Sequence, residues 1–345
     1  MALTGLTCSA RVALCHPSIL WSTMFDHFSC SRVNDTTFVV HENDVYEEHP
    51  FIYVKVYDDI PVIVLSDTGS GSSTDEHSLP ENLRNFLETL PIAVNNGQPL
   101  NPRDAGGKAS KKYMIIFTHC HYDHILGIEQ FQDPITDTVA PREGKCFVEN
   151  NLAEHSLCET LDIPTPQYTI TNWAKDKETL SFDGKSLDLQ IIHTPGHTPD
   201  ELAWYDKKER HLFVGDTLYE RVAEDKSYEQ AILFPKEGNI IDYLDSLNKL
   251  IVFVEAKNGD DDAHKGRLKI GCGHVTSSVD AMEILVAVQT LFANILEDKV
   301  PIAQREEKRG EEYVTWRDDG EPRFSVTAPR RIVFDAKQAL QGKVE

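Results

Sequence analysis

Thr118-His119-Cys120-His121-Tyr122-Asp123-His124 (THCHYDH, residues 118–124) sets three imidazoles and a carboxylate side by side. The run follows Tyr113–Phe117, an apolar stretch that reads as a strand. Imidazole and carboxylate together are donors suited to Zn, Fe or Mn. In an extended segment residues i and i+2 face the same way, so His119 and His121 can share one ion. If the chain then turns into a helix, Asp123 and His124 point back from its first turn toward a second ion. The plain alternative is three unrelated surface histidines. With only 14 histidines in 345 residues, and this cluster at a strand end, where sites gather, the shared-ion reading is the better one.

Three further clusters repeat the pattern. Leu187–Ile192 reads as a strand and leads to Thr194-Pro195-Gly196-His197-Thr198. His211–Val214 leads to Gly215-Asp216-Thr217, and Leu268–Gly271 runs into Gly271-Cys272-Gly273-His274. Each places a His or Asp at a glycine-flanked strand end, where the backbone can turn sharply. Cys120, between two histidines, should face the other way and pack, and packing is also the reading for Cys272.

The set HxHxDH … GH … D … H resembles that of the metallo-β-lactamase superfamily, over roughly residues 35–297 and including Asp67-Thr68-Gly69. The resemblance implies an α/β fold, a four-layer αββα sandwich with a metal site at one edge of its two sheets. It implies that His119, His121 and His197 hold one metal, that Asp123, His124 and His274 hold a second, and that Asp216 bridges them. Asp67 matches an acid that orients the ligands from behind. The cofactors implied are two Zn2+, with Fe or Mn suiting the same donors. Antibiotic-hydrolysing members with a cysteine ligand lack the second His of Asp-His, so this chain is more similar to the glyoxalase-II, lactonase and RNase-Z branches.

Tyr219 lies three residues after Asp216, an offset at which lactonases of the superfamily carry a tyrosine that steadies the substrate carbonyl. Residues 220–236 would then line the site mouth, with Tyr228 or Phe234 as apolar wall. The expected activity is hydrolysis of a small cyclic ester or amide, a lactone or lactam, by attack of a hydroxide bridging the metals. Asp123 would guide the proton and Tyr219 would steady the oxyanion. The alternatives are a thioester hydrolase of glyoxalase-II type and a mono-iron persulfide dioxygenase. The wording TPGHTPDEL, the spacer Ser70–Lys112 and the C-terminal piece Glu311–Val333 are also similar to fungal lactam-opening detoxification enzymes.

A net charge of −22 argues against a nucleic-acid groove or an anionic membrane as partner. A small-molecule substrate is expected, and a homodimer is a candidate assembly. No apolar window is long enough for a spanning helix, and the N-terminus lacks the order of a secretory signal. Seven unevenly spread cysteines suit a reducing, cytoplasmic compartment. Residues 1–34 read as an irregular extension, 35–300 as the hydrolase domain, and 301–345 as a C-terminal extension packed on it. Strands are expected at 36–41, 51–57 and 60–65, and again near the C-terminus at 313–316, 324–326 and 331–334. Helices are expected at 80–90, 240–255 and 279–296.

Overall fold

In a computed structural model the described residues are 23–24, 27–71, 82–133, 136–223, 226–259, 266–317 and 323–342. The acidic run 260–262, the turn at 318–320 and the start of the helix expected at 80–90 lie outside them.

The first sheet has eight strands in chain order. They are β1 (Thr23–Met24), β2 (Phe28–Arg32), β3 (Thr37–Glu42), β4 (Phe51–Val56), β5 (Val62–Ser66), β6 (Lys112–Ile116), β7 (Asp137–Pro141) and β8 (Asn172–Ala174). The pairs up to β4–β5 are antiparallel, and β5 through β8 are parallel. A second sheet holds β9 (Thr179–Phe182), β10 (Lys185–His193), β11 (Leu202–Asp206) and β12 (His211–Phe213). After a short β13 (Ile232–Leu233) it is completed by β14 (Lys269–Gly271), parallel to β12, and β15 (Val279–Asp280).

Alternation decides the layers. Val39, Val62, Val64, Met114 and Ile116 of the first sheet meet Leu189, Ile191, Leu202, Trp204 and Phe213 of the second. The opposite face of the first sheet, through Val54, Ile63, Leu65 and Ile115, is covered by helix α1 (Leu83–Thr89). Small helices α2 (Tyr122–Ile125), α3 (Lys145–Asn150), α4 (Leu152–His155) and α5 (Cys158–Leu161) lie in its connections. The opposite face of the second sheet is covered by α6 (Ile240–Gly259) and α7 (Ala281–Leu296), through Leu247, Leu250, Val288 and Phe292. The result is a four-layer αββα sandwich. Asp280 starts α7 by accepting the backbone N–H of Glu283, so the expected helix begins two residues later than 279.

The C-terminal region forms a third sheet in the order β13, β18 (Ser325–Pro329), β17 (Glu311–Arg317), β16 (Ile302–Lys308). Val314, Trp316 and Val326 join the α6–α7 core. Two expectations are corrected. Residues 28–32, read within an irregular extension, pair with β3, because Phe28 and Cys30 bury one face of a segment short of β-branched residues. Residues 331–334, read as a strand, open helix α8 (Arg330–Gln341). Ile332, Val333 and Ala336 form its buried stripe, and that spacing outweighs the β-branched pair Ile-Val.

Candidate metal centre

The parallel pairs β5–β6 and β12–β14 send their C-terminal ends to the same edge of the sandwich, and the chemistry-bearing loops start there. Asp67 follows β5, residues 118–124 follow β6, His197 follows β10, Asp216 follows β12 and His274 follows β14. The turn before His197 needs glycine. Gly196 has φ +146°, and a Cβ there would stand 2.4 Å from Tyr243 Cα.

All seven residues singled out as ligands are buried, and they fall into two adjoining groups. In the first, His121 Nδ1 lies 2.9 Å from His119 Nε2 and 3.1 Å from His197 Nε2. In the second, Asp123 Oδ2 lies 3.3 Å from both His124 Nε2 and His274 Nε2. Asp216 stands between the groups. Its Oδ1 is 3.4 Å from His124 Nε2, and its Oδ2 is 3.3 Å from His274 Nε2 and 4.0 Å from His197 Nε2.

The far side of four of the five rings is anchored, which fixes the nitrogen turned toward the centre. The second nitrogens of His197 and His274 face backbone carbonyls, Leu233 O at 2.7 Å and Glu48 O at 2.8 Å. His124 Nδ1 bonds Asp67 Oδ2 at 3.0 Å, and His119 Nδ1 lies 3.1 Å from Thr118 Oγ1. Asp67, at φ +66°, also accepts the N–H and hydroxyl of Thr118.

Burial, reinforced by neighbouring imidazoles, holds His119 and His121 well below the usual histidine range, and burial also lowers His197. His124 goes the other way. Burial opposes its charge, but Asp123, Asp216 and Asp67 more than offset that. His274 is likewise pushed up to about 10, because Asp216 and Asp123 outweigh burial. The three-histidine group is therefore a neutral donor set, and the carboxylate-rich group draws positive charge. His124 Nε2 and Asp216 Oδ1 are buried without a hydrogen-bond partner, which is expensive unless something else satisfies them. Convergent, orphaned N and O donors of this kind fit a pair of divalent cations.

The hollow at the centre is small, about 50 Å3, with Leu157, Leu233, Phe234 and Pro235 in its wall. A larger hollow of about 490 Å3 between Phe131 and Thr169 shares no lining residue with it and gathers no comparable donors; convergent polar groups, not size, mark the site. Tyr219 lines the small hollow with its ring 5.4 Å from that of His274, but its hydroxyl donates to Ala231 O at 2.9 Å. Phe234 packs at 6.2 Å from the His197 ring, whereas Tyr228 sits against His49. Cys120 and Cys272 are buried, Cys120 beside Asp200.

Two acids went unread in the sequence. Glu201 accepts the Asp216 N–H at 3.0 Å, with its other oxygen 3.4 Å from His119 Nδ1. Glu48 lines the hollow, accepts the Tyr122 hydroxyl and lies 3.5 Å from Gln230 Nε2. Burial, with Asp123 nearby, pushes its carboxyl up to about 7. The tip of the β16–β17 hairpin, Lys308 and Arg309, also reaches the hollow.

The sequence profile of the metallo-beta-lactamase superfamily matches residues 63–258. This chain belongs to that superfamily. Among relatives of this superfamily member, avaE of Aspergillus versicolor, named as a candidate transcription factor, is 30% identical over 84% of this chain and 82% of its own. A hydroxyacylglutathione hydrolase of Psychromonas ingrahamii is 32% identical over 30% of this chain and 32% of its own. The human acyl-coenzyme A thioesterase MBLAC2 is 25% identical over 49% of this chain and 61% of its own. The chain thus spans about a third of the first hydrolase's length and under two thirds of the second's. Among the described residues, no helix is long and apolar enough to cross a membrane.

Proposed function

We propose that this protein hydrolyses the acyl bond of a small substrate, with a thioester as the leading class. The observation that carries the reading is the pair of buried donor groups meeting at Asp216 on the floor of the hollow. His119, His121 and His197 would hold one cation, and Asp123, His124 and His274 the other. Zinc is the first choice, and iron or manganese suits the same donors. When bound, such ions supply Lewis acidity and an activated water near neutral pH.

The residues themselves divide the remaining work. Asp123 opens onto the hollow, where it would guide the proton that leaves the attacking water toward the departing group. Leu157, Leu233 and Phe234 exclude bulk water, which strengthens every charge interaction inside. Glu201 and Asp67 hold Asp216, His119 and His124 in place from behind. Two relatives named for thioester-type hydrolysis support the thioester class.

The lactone or lactam reading stands second. It rests on Tyr219 lining the hollow, but the phenol would first have to give up Ala231 O to serve a substrate carbonyl. A net charge of −22 favours a small molecule over nucleic acid as the substrate. Five unpaired cysteines among the described residues suit a reducing, cytoplasmic setting.

The test is elemental analysis of purified protein together with a screen of thioesters, lactones and lactams. Two equivalents of metal and thioester turnover support the reading. A single equivalent of iron with oxygen consumption would replace it with the persulfide dioxygenase alternative.

A further inference from the structure

The hollow over the donor groups is narrow, at about 50 Å3. The reacting carbonyl fills such a space, so the rest of any substrate must run out past the mouth. One wall of that mouth is the tip of the β16–β17 hairpin, at Lys308 and Arg309. Arg309 and Gly310 have φ of +56° and +76°, so the strands join through a two-residue turn of the primed type, which fixes where the two cations emerge.

The neighbouring cations are committed elsewhere. Arg305 and Arg330 both bond Glu312, at 2.5 and 3.0 Å, Arg331 reaches Glu311, and Lys236 reaches Glu154. Among the described residues Lys308 and Arg309 have no carboxylate partner. Two exposed, unpartnered cations side by side at a site mouth are unusual in a chain of net charge −22. With two dications on the floor facing Asp67, Asp123, Asp216 and Glu48, Lys308 and Arg309 would add two positive charges at the mouth itself. Such a mouth steers and holds an anion.

We propose that Lys308 and Arg309 form an anion subsite for the leaving part of the substrate, taking a carboxylate or a phosphate. Arg309 offers a planar fork that either anion fits, and Lys308 adds a point charge. The proposal rests on the acyl-hydrolase reading for what lies on the floor, but the subsite can be judged without turnover.

Three acetyl thioesters carry one reacting group on different thiols: N-acetylcysteamine is neutral, mercaptosuccinate bears carboxylates, and pantetheine 4′-phosphate bears a phosphate. The metal-loaded protein is expected to turn over at least one anionic ester with kcat/KM about tenfold above the neutral one, an advantage that shrinks between about 50 and 500 mM salt. The two anionic arms tell carboxylate from phosphate. The Lys308→Met/Arg309→Asn variant should lose the advantage through KM, with kcat and the neutral ester unchanged; asparagine is chosen because it tolerates the positive φ. Equal kcat/KM on all three esters in the wild type, or equal loss on all three in the variant, overturns the subsite. If no thioester is hydrolysed, the acyl-hydrolase reading fails and calorimetry with the S-methyl ethers of the same thiols decides. Anionic ethers binding about tenfold tighter than the neutral one, and only with Lys308 and Arg309 in place, uphold the subsite; equal binding refutes it.

Discussion

Asp67 Oδ2 and His124 Nδ1 are joined by a buried 3.0 Å hydrogen bond, and that bond decides which nitrogen of His124 faces the candidate metal centre. Asp67→Asn is nearly the same size and accepts the φ of +66°. Its amide can still accept the Thr118 N–H, but then its NH2 faces His124 and forces the proton to Nε2, where a cation should bind. Affinity for the second ion should fall about 10- to 100-fold while the fold persists. Competition against a chelator measures this, and an unchanged affinity would show that Asp67 does not set the tautomer.

Gly273 lies against Asp216, the carboxylate proposed to bridge the two ions. A Cβ there would stand 2.3 Å from Asp216 Oδ1 and 3.0 Å from His124 Cε1. Gly273→Ala should push Asp216 off its position, and a displacement of an ångström or so in a reacting constellation costs about 100-fold in rate. Metal content of the purified variant should drop in parallel. Gly259→Ala, where a Cβ meets nothing within 4 Å, serves as the control and should change neither. Full metal content and activity in Gly273→Ala would mean that Asp216 is not held where the bridging role needs it.

The candidate ligands stood out because each stands just after an apolar strand, where a His or Asp has little packing reason to be. The residues that support them did not. Glu48 falls in the acidic connection between β3 and β4, where carboxylates are common on composition alone. Only the pairing of that loop with the β14 loop, through the Glu48 carbonyl and His274, brings it to the hollow. Glu201 follows His197 closely in sequence, yet its role depends on Asp216 arriving from another strand. Lys308 and Arg309 drew no reading at all, since nothing local says that the C-terminal sheet folds back over the site. Phe28–Arg32 hid its strand for want of β-branched residues, and Arg331–Phe334 hid its helix by having them.

Metal uptake should release protons from one group of ligands and not from the other. His119, His121 and His197 are already neutral because burial lowers them. Although burial works against it, His124 and His274 stay protonated at neutral pH in the metal-free protein, His274 with a value of about 10, because the neighbouring carboxylates prevail. Both must give up a proton to bind a cation. Titration of metal into apoprotein at pH 7.5, in buffers of different ionisation heat, should therefore show proton release concentrated on the second ion, about two protons from His124 and His274 beyond the one that the activated water gives up, and little release with the first. Affinity for the second ion should accordingly rise with pH. Proton release spread evenly over both ions would contradict the assignment of the two groups.

His211 gives a pH dependence that does not involve the metal ligands. It lies buried in β12, stacked on Phe213 at 4.4 Å, and burial, with Lys269 nearby, holds its pKa down to about 3. In the unfolded chain it titrates near 6.5. The unfolded state therefore takes up the proton first as the pH drops. The contribution of His211 to stability is whole above pH 6.5 and declines steadily from there toward pH 3. Each pH unit inside that window costs about 1.4 kcal/mol. His211→Phe keeps an aromatic ring on Phe213 and removes the titration. With chelator present in both samples, so that metal release does not enter, urea unfolding at pH 6.5 and pH 5 should show the wild type losing about 2 kcal/mol more than the variant. Parallel losses in the two proteins would mean that His211 is protonated in the folded state, and that its burial is not what resists the charge.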